Sequence, residues 1–168
     1  MTVNQATLDR FSNSVYRPQP GRRIAYVTGF LFDDFDNVAL IEKKRPAWQA
    51  GKLNGIGGKI ERDESALQAM RREFEEETGV YVHDWECFAF LTHGTGAVYF
   101  FEARATGEPL TSPTDEIVAW YPVGRINKPT IPNLTWLIPL AISGNGECVI
   151  ADDPNVAVFE EDRSNVNT

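Results

Sequence analysis

The chain is 168 residues long, 42% hydrophobic and 24% charged, with a formal net charge of −8. That length and apolar fraction suit one domain with an adequate core and exclude a disordered chain. The acidic balance excludes a nucleic-acid-coating protein, which would need a basic face, and no apolar run approaches membrane-spanning length.

The N-terminus is polar, has no hydrophobic leader, and carries Pro18, Pro20 and Gly21. It reads as an extended lead-in over residues 1–21 of a cytoplasmic protein. A single domain is expected over residues 22–159. Residues 24–33 are an aromatic and β-branched run, a turn follows at 34–37, and residues 38–43 read as a second strand. A basic loop occupies 44–52. Residues 53–59, Leu-Asn-Gly-Ile-Gly-Gly-Lys, then cross closely spaced glycines toward a helix. Ser65 and Gln68 form a capping box and Gly79 takes the C′ position, so the helix spans 66–78.

Strands are expected at 81–92 and 97–105, joined by His93-Gly94-Thr95-Gly96. A Pro/Gly/Thr-rich loop covers 106–115 and a further strand 117–123. Residues 133–143 have helical character despite Pro139, a turn falls at 144–146, and short strands follow at 148–151 and 156–159. The acidic, Asn-rich residues 160–168 read as a flexible tail. Early strands, a helix, more strands and a late helix make an α+β chain with mixed sheets between helices. Cys87 and Cys148 lie in strand-like apolar runs without metal-ligand spacing, which suits buried free thiols better than a disulfide.

The helix at 66–78 carries the chemistry. Glu73 and Glu77 are one turn apart, and Glu76 flanks them on the same side. Leu67, Met70 and Phe74 form an adjacent apolar stripe that should face the core. Crowded like charges destabilise a helix, and more so when partly desolvated. A solvated acidic face would explain the acids but not their overlap with the apolar arc. A hard cation with oxygen ligands relieves the repulsion, and Mg²⁺ held by carboxylates beside substrate phosphates is the common case.

Gly58, Glu64, Arg72, Glu73, Phe74, Glu76, Glu77, Gly79 and Val80 resemble, without departure, the signature box of the Nudix hydrolases. The resemblance implies an αβα sandwich with mixed sheets and a loop–helix motif. It also implies Mg²⁺-dependent hydrolysis of a nucleoside diphosphate-linked substrate, with Mn²⁺ as a substitute ion. Glu73, Glu76 and Glu77 would bind the metal, with the Gly58 carbonyl as a further ligand, and Arg72 would orient the carboxylates. Glu64 would either close the loop–helix junction near the positive end of the helix dipole or join the metal. Such enzymes take another carboxylate from outside the box as ligand or general base. Glu116 is the candidate here and Asp115 the runner-up, and both could instead simply solvate the start of a strand.

Substrate choice lies outside the box. Residues 53–59 resemble the corresponding stretch of MutT-type enzymes, in some of which an asparagine at the Asn54 position reads a purine edge. Asn133 falls near a second base-reading position. An amide donates and accepts side by side, which suits a purine. Asn54 could equally be a turn residue before Gly55, and Asn133 a helix N-cap. Lys43, Lys44, Arg45 and Lys59 could meet phosphates, and Trp48 or Tyr99 could stack on a base. His83 and His93 lack a partner pattern and read as a strand and a turn residue. The resemblance therefore implies a nucleoside triphosphate diphosphatase, with oxidised or non-standard purine nucleotides first. A dinucleoside polyphosphate hydrolase is the alternative. A non-catalytic nucleotide or RNA sensor is a third reading, although sensors usually lose box carboxylates that are all present here. The implied partner is a small nucleotide rather than a nucleic-acid polymer or a membrane, and a homodimer is a common assembly in the family.

Overall fold

A computed structural model describes residues 24–93, 96–144 and 148–151, together with residues 6, 9, 12 and 13. Ala6, Asp9 and Ser12 have helical backbone, not the extended form expected over 1–21. The Asp9 carbonyl accepts the Asn13 N–H at 3.1 Å and the Ser12 hydroxyl at 3.0 Å, so a helical turn forms well before the prolines that suggested extension. The turn tips at 94–95 and 145–146, the strand expected at 156–159 and the tail lie outside the described residues.

The elements are β1 (Ile24–Phe32), β2 (Asn37–Glu42), β3 (Leu53–Asn54), α1 (Ala66–Thr78), β4 (Glu86–His93), β5 (Gly96–Arg104), β6 (Ile117–Pro122), α2 (Leu134–Ser143) and β7 (Cys148–Ala151). One mixed sheet runs β3-β2-β1-β5-β4-β7, with β6 paired to β2. Strand β1 lies parallel to β5 from Ile24↔Gly96 to Phe32↔Arg104, β4 is antiparallel to β5, and β7 is parallel to β4. The turn between β1 and β2 is built on Asp33. Its carboxylate accepts the N–H groups of Phe35 and Asn37 and the Asn37 amide, each at 2.8 Å. Burial pushes the Asp33 carboxyl up, but these donors outweigh it and hold the group below the usual aspartate range.

Alternation along the strands divides the core between two faces. On one face, Val27, Leu31, Ile41, Phe101 and Cys87 pack with Met70 and Phe74 of α1. On the other, Phe30, Phe32, Phe88 and Phe100 pack with Leu134, Leu137 and Ile138 of α2. This is the α+β sandwich expected, a sheet between two helices. Both ends of α1 fall where the caps place them. Gln68 N–H donates to Ser65 Oγ at 3.1 Å, Ser65 N–H donates to Gln68 Oε1 at 2.7 Å, and Gly79 closes the helix at φ 72°.

Strand β4 begins at Glu86 rather than at residue 81. The Val82 carbonyl accepts the Trp85 indole N–H at 3.0 Å and the His83 carbonyl accepts Arg71 Nε at 2.8 Å. These bonds wrap the segment around α1 and remove it from the ladder, so His83 is not a strand residue. Cys87 is buried, its Sγ donates to the Ala89 carbonyl at 3.6 Å, and burial pushes its pKa up to about 12, which leaves it unreactive. No helix among the described residues is long and apolar enough to cross a membrane.

Candidate active site

The site is built where the sheet splits. Strands β1 and β2 pair only at Phe32↔Val38, and residues 53–60 fill the gap between them. Leu53 and Asn54 pair with β2. Beyond them Gly29 and Ile56 exchange backbone bonds at 2.7 and 3.1 Å, Val27 N–H donates to Gly58 O at 2.9 Å, and Ile60 N–H donates to Ala25 O at 2.9 Å. Only glycine allows this approach. A Cβ on Gly57 would lie 2.0 Å from the Val27 carbonyl oxygen, and one on Gly58 would lie 2.4 Å from the Glu73 carboxyl carbon. The loop thus brings the Gly58 backbone against the first glutamate of the helix triplet.

Arg72 organises the carboxylates. Its fork meets Glu64 at 2.5 and 3.1 Å, Glu73 at 2.7 Å, Glu76 at 3.3 Å and the Lys59 carbonyl at 3.1 Å. The Glu64 bond leads in raising the guanidinium above its ordinary value. Glu64 also accepts Glu61 N–H at 2.6 Å, and these donors overcome burial to hold its carboxyl low. That favours Glu64 as the closure of the loop–helix junction. Glu73 differs. Burial raises its pKa despite Arg72, and the charges of Glu76 and Glu77 push the same way. Glu77 stands apart from the Arg72 network and accepts the Thr114 hydroxyl at 2.9 Å.

Among the described residues, no three His, Cys, Asp or Glu side chains converge closely enough to hold a metal ion. The three helix carboxylates share a region, but Arg72 draws two of them and Thr114 the third. The donor chemistry nevertheless fits a hard divalent cation: all ligands are oxygens, the half-buried Glu73 lies close to two more carboxylates, and the neighbouring position bears no side chain.

Glu116 and the basic loop meet directly. Glu116 is 5% exposed, one oxygen is paired with Lys43 Nζ, and the other accepts Lys44 N–H at 2.6 Å. Burial raises its pKa, but Lys43 and the Lys44 N–H prevail and keep it low. Asp115 binds Arg45 at 2.6 and 2.8 Å, with Lys44 at 3.7 Å, and the Arg45 bond leads in lowering its pKa. Lys43, Lys44 and Arg45 are therefore brought together but neutralised, while Lys59 is exposed beside Gly58. A cleft of about 250 Å³ opens here, lined by Lys43, Lys44, Gly51 and Ile117. A larger depression of about 430 Å³ lies on the outward face of α1 and reaches the site only through Arg72 and Glu76.

Asn54 and Asn133 are delivered by neighbouring backbone segments. Leu53 N–H donates to Pro129 O at 2.8 Å and Ile131 N–H donates to Leu53 O at 3.0 Å. Asn54 Oδ1 accepts Gly55 N–H at 2.7 Å, and its Nδ2 donates to Gln49 Oε1 at 3.1 Å. The turn role of Asn54 is thus real, and Gln49 is a neighbour that sequence reading missed. Asn133 precedes α2 but does not cap it by its side chain, and its Oδ1 is buried without a hydrogen-bond partner among the described residues. Tyr99 cannot stack on a base, since it is 4% exposed and packs 4.8 Å from Phe90, centroid to centroid. Alternation on β5 places it on the α1 face. Trp48 is 60% exposed. The His83 ring meets Asp84 at 2.7 Å on the surface, and the His93 side chain lies outside the described set. Thr114 was also missed. It sits in an irregular loop, where neither periodicity nor a cap marks a position.

Comparison with known proteins gives one answer. The NUDIX domain profile matches residues 22–136. An uncharacterized Nudix hydrolase of Bacillus subtilis, YvcI, is 26% identical over 131 residues, covering 71% of this chain and 80% of its own length. The NUDIX domain of Shewanella oneidensis NrtR, solved with ADP ribose, superposes with a TM-score of 0.66 at 20% identity, over 84% of this chain and 99% of that one. The MutT Nudix hydrolase of Burkholderia pseudomallei gives 0.62 at 19% identity, over 70% and 97%. At these identities the two structures establish the fold, and the domain match establishes the family. The chain belongs to the Nudix hydrolases and is a pyrophosphohydrolase of nucleoside diphosphate-linked substrates.

Proposed function

We propose that the protein is a Mg²⁺-dependent nucleoside triphosphate diphosphatase, served also by Mn²⁺, that acts first on oxidised or non-standard purine nucleotides. Water adds to a phosphorus of the triphosphate, the bridging P–O bond breaks, and nucleoside monophosphate and pyrophosphate leave. The observation that carries this reading is the carboxylate group Glu73, Glu76 and Glu77, with Glu73 half-buried behind Gly58 and the cations Lys44, Arg45 and Lys59 in the surrounding loops. Glu73, Glu76, Glu77 and the Gly58 carbonyl would hold the ion, which when bound neutralises polyphosphate charge and acidifies a water. Arg72 keeps two of the carboxylates oriented and spares them mutual repulsion. Lys44 and Arg45 exchange Asp115 for phosphate oxygens. Asn133, half-buried at the start of α2, and the second Asn54 N–H read the base edge.

Burial leaves Tyr99 unable to stack on the second base of a dinucleoside polyphosphate, which weighs against that reading. Retention of every box carboxylate weighs against a sensor. The test is a turnover panel of canonical and oxidised nucleoside triphosphates, ADP-ribose and diadenosine polyphosphates. Pyrophosphate release from a triphosphate is expected to lead the panel, and to fall by about 10³-fold in Glu76→Gln with nucleotide binding retained. Faster turnover of ADP-ribose or a diadenosine polyphosphate sinks the triphosphate reading.

A further inference from the structure

The loop between β5 and β6 has no part in the box, yet it touches both halves of the site. Thr111 N–H and Oγ1 both donate to the Thr78 carbonyl, at 2.9 and 2.8 Å, at the last turn of α1. Ser112 Oγ accepts Val118 N–H at 2.9 Å, which pins the loop to β6. The Thr114 hydroxyl donates to Glu77 Oε2 at 2.9 Å and accepts Glu116 N–H at 3.3 Å. Glu116 in turn is buried against Lys43 Nζ and Lys44 N–H. A continuous chain of bonds therefore runs from the cationic loop through Glu116 and Thr114 to the last carboxylate of the helix triplet.

We propose that Thr114 is a positioning residue for Glu77 and that Glu116 is its anchor, not the proton acceptor of the reaction. The proposal rests on reading Glu73, Glu76 and Glu77 as the metal ligands. Arg72 orients Glu73 and Glu76 but, among the described residues, not Glu77, and the Thr114 hydroxyl takes that part. A ligand already held in one rotamer loses less freedom when it binds an ion, and outer partners of this kind tune metal affinity. The anchor also keeps that carboxylate in register with the cations that meet the phosphates.

The test is Mn²⁺ binding to the full chain by electron paramagnetic resonance of the free ion, alongside Mg²⁺-dependent turnover. Thr114→Val is expected to weaken Mn²⁺ binding about tenfold and to raise the half-saturating Mg²⁺ likewise, with the nucleotide KM at saturating Mg²⁺ unchanged. Thr114→Ser restores both. Glu116→Gln, whose amide oxygen still accepts from Lys44 N–H, stays within about tenfold of native turnover, short of the roughly 100-fold or more that loss of a general base costs. Native Mn²⁺ affinity in Thr114→Val overturns the positioning role. A Glu116→Gln loss of about 10³-fold with Mn²⁺ binding intact makes Glu116 the proton acceptor and overturns the anchor. A native protein that binds Mn²⁺ but hydrolyses no nucleotide fails the substrate reading while the Thr114 comparison still stands, and one that binds no Mn²⁺ overturns both.

Discussion

The glycine loop and α1 are fixed against the sheet by backbone bonds and buried packing, whereas the basic loop, folded on itself by backbone bonds among residues 43–52, reaches the start of β6 through charge pairs. Gly57 and Gly58 run against β1 and Glu73 with no space for a methyl group, and Met70 and Phe74 beneath them are fully buried. The Arg45–Asp115 pair is 68% and 56% exposed at its two side chains, and water screens it. The contrast separates two tasks. Groups that act on the phosphate chain sit on a frame that accepts no added atom, while groups that meet the rest of the substrate sit on a frame that can be exchanged.

Three substitutions probe that contrast. Gly57→Ala drives a methyl group into the Val27 backbone, which has no rotamer by which to yield. It is expected to lower stability in urea by more than about 3 kcal/mol, and a stability near native would show that the frame can give way. Gly58→Ala meets a side chain instead, so the fold is retained and Glu73 is displaced. Turnover should fall about 100-fold with a melting temperature close to native, because a shift near 1 Å in an active group costs that much. Equal losses in the two glycine variants would erase the distinction between frame and ligand. Arg45→Gln breaks an exposed pair and removes a phosphate-facing cation. The urea midpoint should not move, and KM should rise at most about fivefold, with the difference fading at high salt.

Legibility in the sequence follows the range of the interactions. Helix α1 was readable to the residue because Ser65, Gln68 and Gly79 act within one turn of its ends. The early start assigned to β4 came from its composition. The bond that holds residue 83 comes from Arg71, on a helix the sequence pattern cannot place beside it, and the bond at residue 82 comes from the Trp85 indole. Among site residues, helical spacing alone puts Glu73, Glu76 and Glu77 on one side of α1, while their role as ligands is what the resemblance implies. Their state does not: that Arg72 spans Glu64, Glu73 and Glu76 depends on the fold of residues 59–64 over the helix. Glu116 is named on the resemblance, but its commitment to Lys43, distant in the chain, is invisible until the sheet brings β2 against β6. Tyr99 was misjudged because strand alternation gives two faces and does not say which one is closed by a helix. Thr114 left no local mark.

The split between β1 and β2 has a consequence for the life of the molecule in a crowded solution. Beyond Phe32, the side of β1 that faces β2 has no strand partner, and its donors at Val27 and Gly29 and the Ala25 carbonyl are satisfied by residues 56–60. An apolar central strand with those groups free would template pairing with another chain. The loop that carries the chemistry is therefore also the guard on an aggregation-prone edge, and damage to it should be seen as precipitation as readily as lost turnover.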